Sequence, residues 1–299
     1  MNFMERNPEL RELIAASEIA SGQLLNYTEA IRGVYIDYAH GLPNNSAWKT
    51  GKLEHVGHAA KDVRTYADLF GLTGKELDVV VFLVTAHDTG RLIHELVQRA
   101  NGKRLPWPHG VESANFAQHI FGAKRRDPLC LAMYLAIHHH SDIETPLLEA
   151  IGDKATHALI CLLRDFDKMT GYENALKYVS DEEFKQKQID TNFSVQRKSD
   201  PTWGDEKGKI DPETMLDTFL AGKALVRDDC QSYEAYMLQY LAWVFDIQNR
   251  EVLEISIKNG GPKHVLTYLL LQLAHGAPEQ HERLMAWAET WQDGILLSN

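Results

Sequence analysis

The feature that most constrains this chain is an apolar repeat of helical period that runs through almost its whole length. Residues three and four apart share one face of an α-helix. Leu10, Leu13 and Ile14 begin such a stripe and Leu24 and Leu25 continue it, which predicts one or two N-terminal helices. A helix over 27–38 meets a stop at His40-Gly41-Leu42-Pro43, and a helix over 53–70 ends at Phe70-Gly71. Thr73, with Glu76 three residues on, has the pattern of a helix cap. One helix is predicted from 75 to 99. Two prolines keep Asn101–Pro108 from being helical, and His109 stands at the mouth of a helix over 110–122. Asp127-Pro128 starts a helix over 128–140, because proline suits a first helical turn. Helices near 147–151 and over 153–169 complete the expected core, and 212–294 returns to helix. The expected class is all-α.

The stretch 180–211 breaks the pattern. It is polar and holds Pro201, Gly204 and Gly208, with Phe193, Val195 and Trp203 suited to a short strand or flap. A segment of that length is usually a lid, an insertion or a linker. The expected organisation is therefore N-terminal helices over 1–50, a core over 51–180, a polar insertion over 181–211 and a C-terminal helical extension over 212–299.

Composition narrows the function classes. The net charge is −11, from 31 basic and 42 acidic residues, and no basic stripe runs along the chain. A nucleic-acid partner is disfavoured on that ground. The longest apolar run, near Val79–Ala86, is far shorter than the ~20 residues of a membrane span. Cys130, Cys161 and Cys230 are too few and too scattered for a disulfide framework and are expected to pack as small apolar residues. A cytoplasmic protein is expected, with the apolar C-terminal helices offering a surface for a homodimer.

Against this helical background stands an ordered series of metal-ligating residue types. His87-Asp88 lies inside an apolar helical run. His55 and His58 precede it; His109, the run His138-His139-His140, and Asp165 and Asp167 follow. Imidazole and carboxylate together suit Fe, Mn, Co, Ni or Zn better than Ca or Mg. Asp165 and Asp167 lie about 200° apart around a helix, so both cannot face one ion. His55 and His58 are one turn apart and could share a face. At most two of three consecutive histidines face one side; His140 is expected at the surface.

This series resembles the HD-domain superfamily of metal-dependent phosphohydrolases. Leu53-Glu54-His55 matches its first element, Ala86-His87-Asp88-Thr89-Gly90-Arg91 its second, and Arg164-Asp165-Phe166-Asp167-Lys168 its last. The two-metal branch adds a single His and a His pair between them, where His109 and His138-His139 stand. The Gly-Tyr-Pro signature of the cyclic-di-GMP-degrading branch is absent, since Ser141-Asp142-Ile143-Glu144 follows the histidines. The resemblance implies an HD-type helical bundle and one or two divalent transition ions. It implies His55, His87, Asp88 and Asp167 at one ion, and His109, His138 and His139 at a second that Asp88 bridges. The family pattern favours Asp167 over Asp165, and Glu-His favours His55 over His58.

Such ions activate water and clamp a phosphoryl oxygen. Asp88 and Arg91 are the expected catalytic residues, Arg91 projecting from nearly the same helix face as Asp88 to balance charge. Lys168 is expected toward solvent, with a phosphate contact as the alternative, and His94 in packing. The expected activity is hydrolysis of a small-molecule phosphate ester such as a nucleotide. A diiron oxygenase built on the same ligands is the alternative, and a metal-binding sensor without turnover is a third reading.

Overall fold

A computed structural model describes residues 1–41, 47–101, 108–140, 153–180, 208–211, 213–226, 230 and 232–291. All its regular elements are helices; no strand occurs among the described residues. The expected helix near 147–151, the flap residues Phe193, Val195 and Trp203, and nearly all of the polar insertion lie outside them. The chain divides into two compact units, Met1–Thr170 and Gly171–Asn299.

The first unit holds α1 (Phe3–Arg6), α2 (Pro8–Ala16), α3 (Ser21–Gly41), α4 (Ala47–Thr65), α5 (Ala67–Phe70), α6 (Gly74–Ala86), α7 (Thr89–Asn101), α8 (His109–Phe121), α9 (Pro128–His139) and most of α10 (Lys154–Ser180). Local chemistry sets several ends. Gly71 closes α5 in the left-handed region at φ 70°. The backbone N–H of Thr73 donates to Glu76 at 3.1 Å, the capping arrangement expected there. Asp127 accepts from the Leu129 N–H at 2.9 Å, ahead of Pro128 in the first turn of α9.

The core of this unit is α6, whose residues from Val79 to Ala86 are all buried. α3, α4, α8 and α9 pack around it. Packing on so many sides explains why the helix is apolar all round rather than along one stripe.

The helix expected over 75–99 is in fact two. The ladder stops at His87 and Asp88, which form a turn between α6 and α7. The Thr89 hydroxyl donates to the Ala86 carbonyl, which satisfies an acceptor at the break. Likewise the helix expected over 53–70 breaks at Tyr66 into α4 and α5.

Two glycines permit the tightest crossings. A Cβ on Gly90 would lie 2.0 Å from the His109 carbonyl oxygen and 2.7 Å from the Ser113 nitrogen. The Gly90 N–H also donates to Ser113 Oγ at 2.7 Å, so an unpaired first-turn donor of α7 is capped from α8. A Cβ on Gly110 would lie 2.5 Å from the His138 carbonyl oxygen of α9. Both obstacles are backbone, so neither can swing aside.

The second unit is also helical: α11 (Glu213–Leu220), α12 (Tyr233–Leu241), α13 (Trp243–Asp246), α14 (Arg250–Lys258), α15 (Gly261–Gly276) and α16 (Pro278–Thr290). Its core is aromatic. Trp287 packs edge-on against Phe219 at 4.5 Å between centroids, and Tyr240 packs on Trp243 at 4.3 Å. No helix among the described residues is long and apolar enough to cross a membrane.

Gly90→Ala and Gly110→Ala are each expected to cost about 1–3 kcal/mol through overpacking. Urea unfolding measures this, and Gly57→Ala, with open space around the added methyl, is the control expected to show no such loss.

Candidate metal centre

Each site residue reaches the interior by the register of its helix. On α4, His55 shares the buried side with Val56, Ala59, Ala60 and Val63, whereas His58 is half-buried. His87 and Asp88, at the break after α6, are 0% and 1% exposed. His109 is the first residue of α8. On α9 the buried positions Met133, Ala136 and Ile137 are followed one turn later by His140. Asp167 lies on α10, which has Ile160 and Leu163 buried on its own side.

Two contiguous groups result, and Asp88 belongs to both. His55, His87 and Asp88 form one; Asp88, His109 and His140 form the other. The two oxygens of Asp88 divide between them. Oδ2 lies 3.7 Å from His87 Nε2 and 4.0 Å from His55 Nε2, and Oδ1 lies 3.1 Å from His109 Nε2. Asp167 joins the first group, its Oδ1 2.8 Å from His55 Nε2 and 3.2 Å from His87 Nε2. In the second, His109 Nε2 lies 3.0 Å from His140 Nε2. The His87 and His140 rings are 5.0 Å apart, so the groups adjoin.

His140 corrects the expectation from sequence. It is 5% exposed rather than at the surface, and it is the member of the histidine run that meets His109 and Asp88. His138 and His139 are in neither group. Successive helical residues turn by 100°, so the three rings take different directions; His139 is buried as deeply as His140 yet belongs to neither group. Lys168, expected toward solvent, is buried at 8% exposure, and Asp165 is fully buried outside both groups. Cys130 and Cys230 are buried as expected, whereas Cys161 is half-exposed with its Sγ 3.7 Å from His157 Nδ1.

Hydrogen bonding fixes the chemistry of two imidazoles. His87 Nδ1 lies 2.9 Å from the Val84 carbonyl, and His140 Nδ1 lies 2.6 Å from the Ile137 carbonyl. Carbonyls only accept, so both Nδ1 atoms carry the proton. Each ring thus folds onto the carbonyl three residues back and turns Nε2 to the centre. An imidazole oriented in this way by a backbone carbonyl is a common arrangement at metal sites.

The consequence is electrostatic. His87 Nε2 faces carboxylate oxygens of Asp167 and Asp88. The His140 lone pair faces His109, which itself faces Asp88. Acceptors converging on acceptors repel unless a cation or a proton stands between them. The donor set of nitrogen and oxygen, the fixed tautomers and the shared carboxylate all fit divalent transition ions.

The protonation states agree. Burial first, and the Arg91 charge second, hold His109 well below the usual imidazole range. Burial, followed by the His87 charge, lowers His140 to about 4. Burial alone would raise Asp167, but His87 and then His55 outweigh it and hold the carboxyl well below its usual range. At neutral pH His109 and His140 are therefore neutral and Asp167 is ionised, the forms that bind metal. Arg91 Nε donates to Asp88 Oδ1, so the Arg91 guanidinium already grips the shared carboxylate.

No family model, no curated protein and no solved structure matches the chain. The chain has a buried His/Asp centre able to hold metal ions, inside an all-helical fold compatible with an HD-type site.

His140 also dictates an acid response. Its folded value near 4 lies below the ordinary imidazole value of 6.5. Between those pH values the unfolded chain binds more protons, so stability falls as pH drops from about 6.5 toward 4. The complete loss from this group is on the order of 3 kcal/mol. Urea midpoints of chelator-treated protein at pH 7.5 and pH 5 measure it, and His140→Gln is expected to flatten the dependence.

Proposed function

We propose that this protein is a metal-dependent phosphohydrolase of the HD type, acting on a small-molecule phosphate ester such as a nucleotide. The observation that carries the reading is the division of the Asp88 carboxylate between two histidine groups. One buried carboxylate with an imidazole set on each side is the arrangement a pair of ions requires. His55, His87 and Asp167 would hold one ion with Asp88 Oδ2, and His109 and His140 would hold the other with Oδ1. When bound, the ions supply Lewis acidity, lowering the pKa of water toward ~7 and polarising a phosphoryl oxygen.

The remaining work falls to this chain. Val84 and Ile137 hold the His87 and His140 rings in the tautomer that presents Nε2. Arg91, about a third exposed while its partner Asp88 is buried, orients that carboxylate and offers positive charge where solvent and a phosphate oxygen can reach. Burial keeps the His109 and His140 imidazoles free of competing protons at neutral pH. Overall acidity disfavours an anionic substrate at long range, so recognition rests on this local positive charge.

Elemental analysis of purified protein is expected to show two transition ions per chain. Asp88→Asn should lower this below one, and His140→Ala should remove about one ion while His138→Ala removes none. Loaded with Mn or Co, the protein should release phosphate from a nucleotide panel. Arg91→Ala should slow that release about 100-fold, in line with loss of a charge-stabilising donor, with the ions retained. Oxygen-dependent turnover of an iron-loaded protein without phosphate release would replace this reading with the oxygenase. A fully loaded protein with neither activity would replace it with a sensor.

A further inference from the structure

Residues 1–20 lie across the starts of three helices. Phe3, Met4, Leu10, Ile14 and Ile19 are buried in the core, and polar contacts tie the segment down between them. Lys75, in the first turn of α6, donates to the Ser17 carbonyl at 2.8 Å, and Arg11 Nε donates to Glu76 at 3.2 Å. Asp127, at the start of α9, divides its oxygens. Oδ1 caps the helix through the Leu129 N–H, and Oδ2 accepts from the Glu18 N–H at 3.0 Å. Lys154, the first residue of α10, donates to Glu9 at 3.2 Å. α1 also reaches α10 through a row of rings, Phe3 on Phe70 at 6.5 Å and Phe70 on Phe166, the neighbour of Asp167, at 5.1 Å.

The same three helices lead to the centre. His87 stands 12 residues beyond Lys75, His140 stands 13 beyond Asp127, and Asp167 stands 13 beyond Lys154. At 1.5 Å per residue, each ligand lies about 18–20 Å along its helix from a contact with residues 1–20. A slip of one helix by a single residue would move its ligand by ~1.5 Å. That is half the 3.1 Å between Asp88 and His109, whereas metal–ligand distances tolerate only about 0.2 Å. The relative register of α6, α9 and α10 therefore decides whether an ion fits, and residues 1–20 touch all three. Without a cation the converging acceptors push these helices apart. An ion draws them together, which is the arrangement that the N-terminal contacts also favour.

We propose that residues 1–20 are a brace whose docking is coupled to ion binding at the Asp88 centre. Docked, the brace holds α6, α9 and α10 in the register that brings His87, His140 and Asp167 to the ions. Lifted, it lets them slip and the ions leave. Coupling between two sites is reciprocal, so a bound ion also tightens the brace. Lys75 and Asp127 are positioning residues in this device: they touch no ion and act through the helices they begin. The assignment rests on the reading of the centre as ion-binding.

Two variants of the full chain loosen the brace without touching a ligand. Lys75→Met removes the donor to Ser17. Asp127→Ser keeps a residue able to cap α9 but loses the second oxygen that holds Glu18. Arg250→Met, which breaks an exposed ion pair with Glu254 in the second unit, is the control. Mn2+ affinity is measured by calorimetry, and amide hydrogen exchange of residues 1–20 is measured with chelator and with Mn2+. In the wild type, Mn2+ should slow exchange within residues 1–20 as well as around the centre. Both brace variants should exchange faster there and bind Mn2+ about 5-fold or more weakly, the lower end of ordinary coupling between sites. Arg250→Met should match the wild type. Mn2+ protection confined to the centre, with exchange of residues 1–20 unchanged, overturns the proposal; this wild-type measurement decides even if a variant fails to fold. So does a variant whose residues 1–20 exchange faster while its Mn2+ affinity stays at the wild-type value, since the segment is then only a stabilising one. A wild type that binds no Mn2+ places the failure in the ion-binding reading, and the brace falls with it.

Discussion

The centre depends on one carboxylate reached from two sides. Asp88 can offer separate oxygens to His55 and His87 and to His109 because it stands where the helix ladder is interrupted. A continuous helix through this position would leave the Ala86 carbonyl to a backbone partner and would carry Asp88 onward in regular register. The Thr89 hydroxyl takes over that carbonyl and stabilises the break. The glycines then close the site. Gly90 lets the start of α8 approach the start of α7, and Gly110 lets α9 approach α8. Without those contacts at backbone distance, His109 and His140 would stand too far from Asp88 to share it.

Burying this many acceptors together works against stability. Two carboxylates and four imidazoles lie in or against an interior that is largely aliphatic and aromatic. Natural folds accept local conflicts of this kind at functional sites and offset them elsewhere. Here the offset is α6, an apolar helix surrounded by its neighbours, which anchors the residue pair at its C-terminal end. The same burial that is costly for charge keeps His109 and His140 neutral and so ready to donate lone pairs to a cation.

The helical class was legible in the apolar period, and the ends at Gly71, Thr73 and Pro128 were legible in their capping chemistry. The break at His87-Asp88 was not, because valine, leucine and alanine on one side and leucine and isoleucine on the other sustain the period across it. Only the Thr89-Gly90 pair hints at it. The burial of His140 was legible in principle, since the stripe through Met133, Ala136 and Ile137 reaches 140 as well as 139. What no spacing could supply is the meeting of distant segments, since the closeness of His55 to Asp167 across 112 residues is a property of packing.

The central claim is that ions lie on both sides of Asp88. Anomalous X-ray diffraction at the absorption edge of the bound metal, from crystals of the full chain, tests it most directly. The account expects two peaks, one among His55, His87 and Asp167 and one between His109 and His140, with the Asp88 carboxylate between them. Peaks elsewhere, or a metal-saturated crystal with no peak beside Asp88, would contradict it.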